Sequence, residues 1–321
     1  MRHFRPGDAP ALGALRLSEA LGGAPALPRE GGRRFGGRPG GDAADDGGAT
    51  GPSLVRITLA DGRLGRVERV ALTGLHEAPG LEIYAPDMRV VFPLASSFYM
   101  SAGRRECLCD PNQVAIVPGG ASTRDRRHVS PELDCLLITP SRELTDEVES
   151  ERGTRFARSP LARAGSPRAQ RLAALAAARG TAAGADGRLF LEEALVDLLR
   201  EALGEAEPAR VQVAPKSLKR VAAVKDLLAS SEAPLSLTQI AAGVGGSPAY
   251  LTDLFRRVEG MPIARYQARL RLARALVRLP DTEDITGLAL DLGYSSHSHF
   301  TAVFRSAFGV SPSAHRAAAR S

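Results

Sequence analysis

An internal repeat in the last third of this 321-residue chain constrains its fold more than any other feature. Residues 244–262 read VGGSPAYLTDLFRRVEGMP, and residues 292–312 read LGYSSHSHFTAVFRSAFGVSP. Both segments place a glycine before a serine-bearing turn, then an apolar residue, a Phe-Arg pair, and a closing glycine and proline. Phe255 and Phe304 are 49 positions apart, and the second segment carries one extra residue near Ser296. This spacing predicts a structural unit that occurs twice.

Each copy reads as a helix, a glycine turn and a second helix. A short helical run precedes each repeated segment, SLTQIAAGV at 236–244 and DITGLALDLG at 284–293. This order is typical of the helix-turn-helix, in which the first helix braces the second in the major groove of DNA. We therefore expect two such units in an all-α region.

The stretch between the copies, PIARYQARLRLARALVRL at 262–279, predicts one long helix, because apolar residues recur at helical spacing behind a proline suited to a first turn. At 1.5 Å per residue it spans about 27 Å, which approaches the roughly 34 Å between successive major grooves on one side of a duplex. A rigid helix of that length allows both units to dock on DNA at once. The arginines on its other faces, which meet either phosphates or solvent, are Arg265, Arg269, Arg271, Arg274 and Arg278.

Helical periodicity separates a buried face from an exposed face in each copy. The apolar positions predicted to form the cores of the two units are Ile240, Leu251, Phe255, Leu288, Phe300 and Phe304. The residues on the opposite side of each second helix, which can meet DNA, are Ala249, Thr252, Asp253, Arg256, Ser298, Ala302 and Arg305.

His297 and His299, separated by one residue, raise the question of a metal site. Residues two positions apart on a helix differ by about 200° around the axis, so the two rings point in different directions and cannot hold one metal ion. Ser295 or Ser296 is instead predicted to cap the second helix of copy two. Both histidines then lie in its first turn, where they either approach a phosphate or pack against the preceding helix.

The positive charge of the chain is concentrated in its last third. Residues 216–321 contain 14 Lys and Arg against 8 Asp and Glu, whereas residues 1–215 contain 28 of each kind. A basic region beside a neutral one is typical of a polyanion binder with a separate regulatory or catalytic domain. A general bias toward arginine explains why the chain has 39 Arg and 3 Lys, but it does not explain why the excess positive charge lies in the last third.

Composition divides the chain into four parts. Residues 1–52 are rich in Gly and Pro and are predicted to be a disordered leader. Residues 53–205 begin with short β-like runs, which favour a small β-sandwich or barrel, and continue with helices. Residues 206–216 are predicted to be a linker, and residues 217–321 to be the DNA-binding domain.

The helices before the linker raise the question of a dimer. FLEEALVDLLREAL at 190–203 has an apolar stripe at helical spacing, which either forms a dimer face or packs on its own barrel. No stretch approaches the roughly 18 consecutive apolar residues of a membrane span, and the initial MRHFRPGDAP lacks the apolar core of a signal peptide. Three cysteines in a chain this long agree with a reducing compartment. The sequence thus predicts a cytoplasmic location and no membrane partner.

The repeated units, the helix between them and the terminal FGVSP at 308–312 closely resemble the DNA-binding domain of the AraC/XylS family of bacterial transcription regulators. The resemblance covers about residues 217–316, and the N-terminal part is more loosely similar to that family's cupin-like ligand-binding and dimerisation domain. It implies an α+β chain of two domains, with a cupin-like β-barrel followed by helices and then two helix-turn-helix units. It also implies a one-component regulator that binds promoter DNA and responds to a small molecule or a partner.

Carried over position by position, the family's base-reading places fall on Ala249, Thr252, Asp253, Ser298 and Ala302. Positions 253 and 302 are often arginine in the family. Here Asp253 can accept a hydrogen bond from cytosine N4, and the Ala302 methyl can contact a thymine methyl. The residues assigned to phosphates are Arg256, Arg257, His297, His299 and Arg305. Gly246 stands where an anchoring side chain is usual, as Tyr294 is in copy two.

Two other functions compete with a ligand-responsive regulator. In one, the N-terminal domain serves only dimerisation or protein interaction. In the other, a barrel acts as a metal- or redox-dependent enzyme or sensor, with Cys107, Cys109, Cys135 and His128 as candidate ligands. We expect a non-enzymatic protein without a cofactor or metal, whose partners are double-stranded promoter DNA and an unidentified small molecule. RNA polymerase and a second copy of the chain are further candidate partners.

Overall fold

The structure is a computed structural model that describes residues 53–73, 81–102, 105–127, 133–156, 158, 160–180, 185–204, 213–231 and 233–321. The predicted leader, 1–52, and residues 206–212 of the predicted linker lie outside the described residues. Within these described residues, ten strands and three helices precede residue 205, and helices alone follow it. Among the described residues, no helix is both long enough and apolar enough to cross a bilayer.

The strands are β1 (Ser53–Gly62), β2 (Gly65–Thr73), β3 (Leu81–Ala85), β4 (Arg89–Pro93), β5 (Phe98–Ala102), β6 (Arg105–Cys109), β7 (Gln113–Val117), β8 (Ala121–Arg127), β9 (Leu133–Pro140) and β10 (Leu161–Ala164). The helices are α1 (Arg142–Arg152), α2 (Pro167–Arg179), α3 (Ala185–Leu203), α4 (Pro215–Ser230), α5 (Leu237–Val244), α6 (Pro248–Glu259), α7 (Ile263–Arg278), α8 (Ile285–Asp291), α9 (His297–Phe308) and α10 (Pro312–Arg320). A 3₁₀ turn, Leu279–Asp281, follows α7.

The strands form two antiparallel sheets rather than one closed barrel. The larger sheet has the order β1-β2-β9-β4-β7-β10 and the smaller one β3-β8-β5-β6. An apolar layer between them includes Phe98 and Met100 of the smaller sheet and Ala115 and Val117 of the larger one. Closure needs a strand that is hydrogen-bonded to both sheets, and the pairings of the described strands include none. The predicted barrel is therefore replaced by two open sheets that face each other.

Helix α3 packs on its own domain. Its apolar residues are buried in the same cluster as Val90 and Ile138 of the larger sheet and Leu144 of α1. The buried positions of α3 are Leu191, Ala194, Leu195, Leu198, Leu199, Ala202 and Leu203. Of the two alternatives for the 190–203 stripe, the structure therefore has packing within the domain, and this stripe is not available as a dimer face.

Helix α7 supplies residues to both helix-turn-helix cores. Ile263, Tyr266 and Leu270 in its first part belong to the core of the first unit, with α4, α5 and α6. Leu272 and Leu276 in its second part belong to the core of the second unit, with α8 and α9. Because one rigid helix is shared, the two units cannot move independently without bending α7 or repacking a core. Its 16 residues span about 24 Å.

The repeat is visible in the backbone as well as in the packing. Ser247 caps α6 by accepting the Tyr250 N–H at 3.2 Å, and Ser296 caps α9 by accepting the His299 N–H at 3.1 Å. Glycines with positive φ, 72° at Gly260 and 75° at Gly309, end the two helices. Serine caps and left-handed glycines are local signals, so they set the ends of both second helices.

Candidate nucleic-acid interface

The structure presents one side of α6 and one side of α9 to solvent. The exposed members of the predicted DNA-contacting set are Ala249, Asp253, Arg256, Arg257, His297, Ser298, His299, Ala302 and Arg305. The six predicted core residues, Ile240, Leu251, Phe255, Leu288, Phe300 and Phe304, are all buried beneath these helices. Each unit thus has the form of an exposed second helix held by an apolar core.

Thr252 differs from the other predicted base-reading residues because it is only half-exposed. Its hydroxyl donates to the Pro248 carbonyl, 2.8 Å away, one turn earlier in α6. With its proton committed, the Thr252 oxygen can only accept from a base. An amino group of adenine or cytosine is therefore the base partner that fits it.

Asp253 and Arg257 form an ion pair on the outer face of α6, with Arg257 Nη2 3.1 Å from Asp253 Oδ2. Both side chains are more than half exposed, so the pair contributes little, typically 1 kcal/mol or less. Another anion, such as a phosphate, can therefore compete with Asp253 for Arg257 at small cost. The neighbouring Arg256 is exposed, and within the described residues its guanidinium has no hydrogen bond or ion pair.

The two histidines of α9 are held by hydroxyl groups at their Nδ1 atoms. His297 Nδ1 lies 3.3 Å from Thr286 Oγ1 of α8, and His299 Nδ1 lies 3.0 Å from Ser295 Oγ. The His299 ring also packs edge-on against Tyr294, with centroids 5.6 Å apart. In each ring Nε2 is the nitrogen left to meet an outside partner. Within the described residues there is no group of three or more His, Cys, Asp or Glu that could hold a metal ion.

The arginines of α7 are mostly used inside the protein. Arg271 Nε donates to the Leu292 carbonyl at 2.7 Å, and Arg274 donates to Ser231 at 2.8 Å and Ala229 at 3.1 Å. Arg269 donates to the Gly165 carbonyl of the N-terminal domain, and Arg278 pairs with Asp291 at 2.9 Å. Arg265 is also one of the five arginines predicted to face phosphate or solvent. It is exposed, and its side chain has no hydrogen bond or ion pair within the described residues. Since α7 packs against both units and the N-terminal domain, Arg269, Arg271 and Arg274 donate to helix C-terminal and loop carbonyls instead.

Tyr250 is a surface residue outside the predicted DNA-contacting set. It lies in the first turn of α6, it is exposed, and the Arg220 guanidinium is 5.7 Å from its ring centroid. A hydrogen bond with Ser217 lowers the Tyr250 pKa. The repeat offset pairs this position with His299, so the signal was present in the sequence. The side chain of Tyr250 also lies beside Gly246, where copy two has Tyr294.

A cavity of about 910 Å³ lies between the N-terminal domain and the first unit. Residues of β5, β6 and β10 line one side, and residues of α4 and α6 line the other. Lys225 is buried at this cavity, and its Nζ lies 3.3 Å from Glu259 Oε1. A cavity with a paired cation and anion on its wall can accept a polar small molecule.

The candidate thiol site is only partly within the described residues. Cys109 and Cys135 are buried in different apolar clusters, one between the sheets and one with Val70 and Leu137. His128 and the side chain of Cys107 lie outside the described residues.

Comparison with known proteins identifies the C-terminal region. A family model described as a helix-turn-helix domain matches residues 240–318. The regulatory protein SoxS of Escherichia coli (strain K12) is 37% identical over 98 residues, which cover 29% of this chain and 92% of that protein. The HTH-type transcriptional activator RhaR of Klebsiella pneumoniae is 34% identical over 103 residues, which cover 30% of this chain and 37% of that protein.

A solved structure of a transcriptional regulator with an AraC-type DNA-binding domain, from Chromobacterium violaceum, is 33% identical. The match covers 33% of this chain and 96% of that one, with a TM-score of 0.31. The two exposed second helices, the shared central helix and the match to nearly the full length of SoxS agree with one another. The chain belongs to the AraC/XylS family of DNA-binding transcription regulators.

Proposed function

We propose that the chain reads a two-part promoter site, with α6 in one major groove and α9 in the next. The observation that carries this proposal is the pair of exposed second helices fixed to one central helix. The helix-turn-helix places residues near the start of its second helix against base edges. We assign Ala249, Thr252 and Asp253 to one half-site and Ser298 and Ala302 to the other.

Phosphate contacts are assigned to the cationic and imidazole groups around those positions, which are Arg256, Arg257, His297, His299 and Arg305. Phosphate contacts position a protein on the duplex, whereas base contacts select the sequence. Arg305 lies about one turn beyond Ala302 and two turns beyond Ser298, so its side chain is directed at the backbone that borders the groove. Residues of the same helix, α9, are therefore expected to have different roles: Ser298 and Ala302 contact bases, and Arg305 contacts a phosphate.

Selection from randomised duplexes with the whole chain tests these roles. Ser298→Ala should change the preferred bases in one half-site and leave binding to scrambled DNA intact. Arg305→Ala should keep the preferred sequence, weaken binding to specific and scrambled duplexes alike, and reduce the salt slope by about one unit. A changed consensus for Arg305→Ala together with an unchanged one for Ser298→Ala would contradict the assignment.

For the N-terminal domain, residues 53–205, we propose a small-molecule effector that enters the cavity beside Lys225. The cavity volume and its buried ion pair support this assignment. We also propose that the two facing sheets are related to the cupin fold. Residues 206–216 are assigned as the linker and residues 217–321 as the DNA-binding domain. We propose no catalytic activity for either domain.

The alternative N-terminal function is dimerisation or protein interaction alone, with a second copy of the chain or RNA polymerase as the partner. A screen of small polar molecules by thermal melting distinguishes the two, because a ligand that binds only the folded chain raises its melting temperature. The effector proposal predicts a hit whose stabilisation is lost in Lys225→Met. Hits that stabilise the variant equally well would place the ligand elsewhere.

A further inference from the structure

A buried polar turn of the N-terminal domain contacts the central helix, α7. Residues Asp110-Pro111-Asn112 connect β6 to β7, and both polar side chains are buried. The turn is braced internally, since Asp110 Oδ1 accepts the Asn112 N–H at 2.8 Å and the Asp110 carbonyl accepts the Gln113 N–H at 2.8 Å. Its geometry is thus set within the N-terminal domain.

The partner of this turn is Tyr266 of α7. The Tyr266 hydroxyl donates to Asp110 Oδ2, and the Tyr266 carbonyl accepts from Asn112 Nδ2 at 3.1 Å. Gln170 of α2 donates to Asn112 Oδ1 at 3.3 Å and supports the turn from behind. A buried carboxylate needs such donors because it has lost its water. The contact is therefore specific in geometry: a displaced tyrosine would leave Asp110 poorly solvated.

Tyr266 is also part of the first unit's core. Its ring packs edge-on against Phe255 of α6, with centroids 5.1 Å apart and planes at 82°. Phe255 is fully buried and belongs to α6, the second helix of the first unit. The outer face of α6 has the predicted base-reading residues. A chain of direct contacts thus runs from Asp110 through Tyr266 and Phe255 to α6.

The second unit has no equivalent contact among the described residues. It meets the N-terminal domain through α2, where Ala174 joins its apolar core. Apolar contact of this kind tolerates sliding, whereas a charged hydrogen bond fixes distance and direction. The two units are consequently held by the N-terminal domain in different ways.

We propose that Asp110 is a positioning residue for DNA recognition, which sets the pose of α6 through Tyr266 and so controls occupancy of the first half-site. This inference rests on the proposed two-part DNA site. Asp110, a residue of the N-terminal domain, thereby affects binding to the first half-site more than binding to the second. Asp110 also lies three positions from Gln113, which lines the cavity between the domains.

Footprinting of the full chain on a duplex selected by the wild type tests the proposal. Tyr266→Phe removes the hydroxyl and keeps the ring on Phe255, while Asp110→Asn keeps the turn and removes the charged acceptor. Each should raise the protein concentration that half-protects the first half-site by about tenfold or more, as expected for a hydrogen bond to a charged group. Protection of the second half-site should change much less. The double variant should add little to either single change.

Tyr99→Phe is the matched control, because the Tyr99 hydroxyl donates to Asp226 of α4 across the same domain interface, at 2.6 Å. It should leave the ratio of the two half-sites unchanged. An equal loss at both half-sites, no change in either, tighter first-half binding, or the same shift in Tyr99→Phe would each overturn the proposal. If the wild type protects no duplex at all, the proposed DNA site itself fails, and that outcome is distinct from the others.

Discussion

His315 illustrates how a single residue of the DNA-binding domain carries a pH dependence. It is buried between α10 and α7, its Nε2 lies 3.2 Å from the Leu276 carbonyl, and its Nδ1 has no hydrogen-bond partner among the described residues. Because a carbonyl only accepts, Nε2 must carry the proton of the neutral ring. Burial, with a smaller contribution from nearby Arg171, lowers the His315 pKa from 6.5 to about 4.

A lowered histidine pKa means that the unfolded chain binds the proton more readily than the folded one. Stability should therefore fall as pH drops from about 6.5 to about 4, by up to about 3 kcal/mol from this group. His315→Leu should flatten this part of the curve in urea unfolding measured from pH 7 to pH 4.5. If wild type and variant lose stability in parallel, His315 is not the titrating group.

At the scale of elements, the two second helices depend on one aromatic anchor each. Phe255 and Phe304 are 0% exposed and sit at equivalent places in the two cores. Phe255→Ala or Phe304→Ala should each cost about 3–5 kcal/mol of unfolding free energy, because each leaves a cavity under a second helix. Chemical denaturation of both variants measures the cost.

Leu290→Ala is the control for those two variants, since Leu290 lies on α8 in the second unit and is 56% exposed. Surface changes of this kind are usually within about 0.5 kcal/mol. A wild-type stability for either phenylalanine variant, or a loss in Leu290→Ala as large as theirs, would contradict the burial of the aromatic anchors.

The C-terminal domain could be predicted from the sequence because its signals are local. Serine caps at Ser247 and Ser296, closing glycines and apolar positions at helical spacing act within one or two turns. The exposed sides of α6 and α9 follow from the same periodicity. The uses of Arg271 and Arg274 could not be predicted, since they depend on carbonyl groups that only the folded chain brings to them.

The N-terminal domain is harder to predict because sheets are built from distant pairs. Short apolar runs indicate strands, but whether a sheet closes depends on which strands become edges, here β1 and β10 in the larger sheet. The Asp110-Tyr266 contact spans 156 positions and has no sequence pattern of its own. The triplet Asp110-Pro111-Asn112 has the composition of a turn, but nothing in it indicates that this turn contacts the DNA-binding domain.

At the scale of the whole molecule, we propose that one chain contacts two successive major grooves through two units on a shared helix. Footprinting of the full chain on a selected duplex should show two protected segments with centres about 10 base pairs apart, on one face of the DNA. Inserting five base pairs between them turns one segment to the opposite face, and should abolish protection at one half-site. A single protected segment, or two that survive the insertion, would contradict this claim.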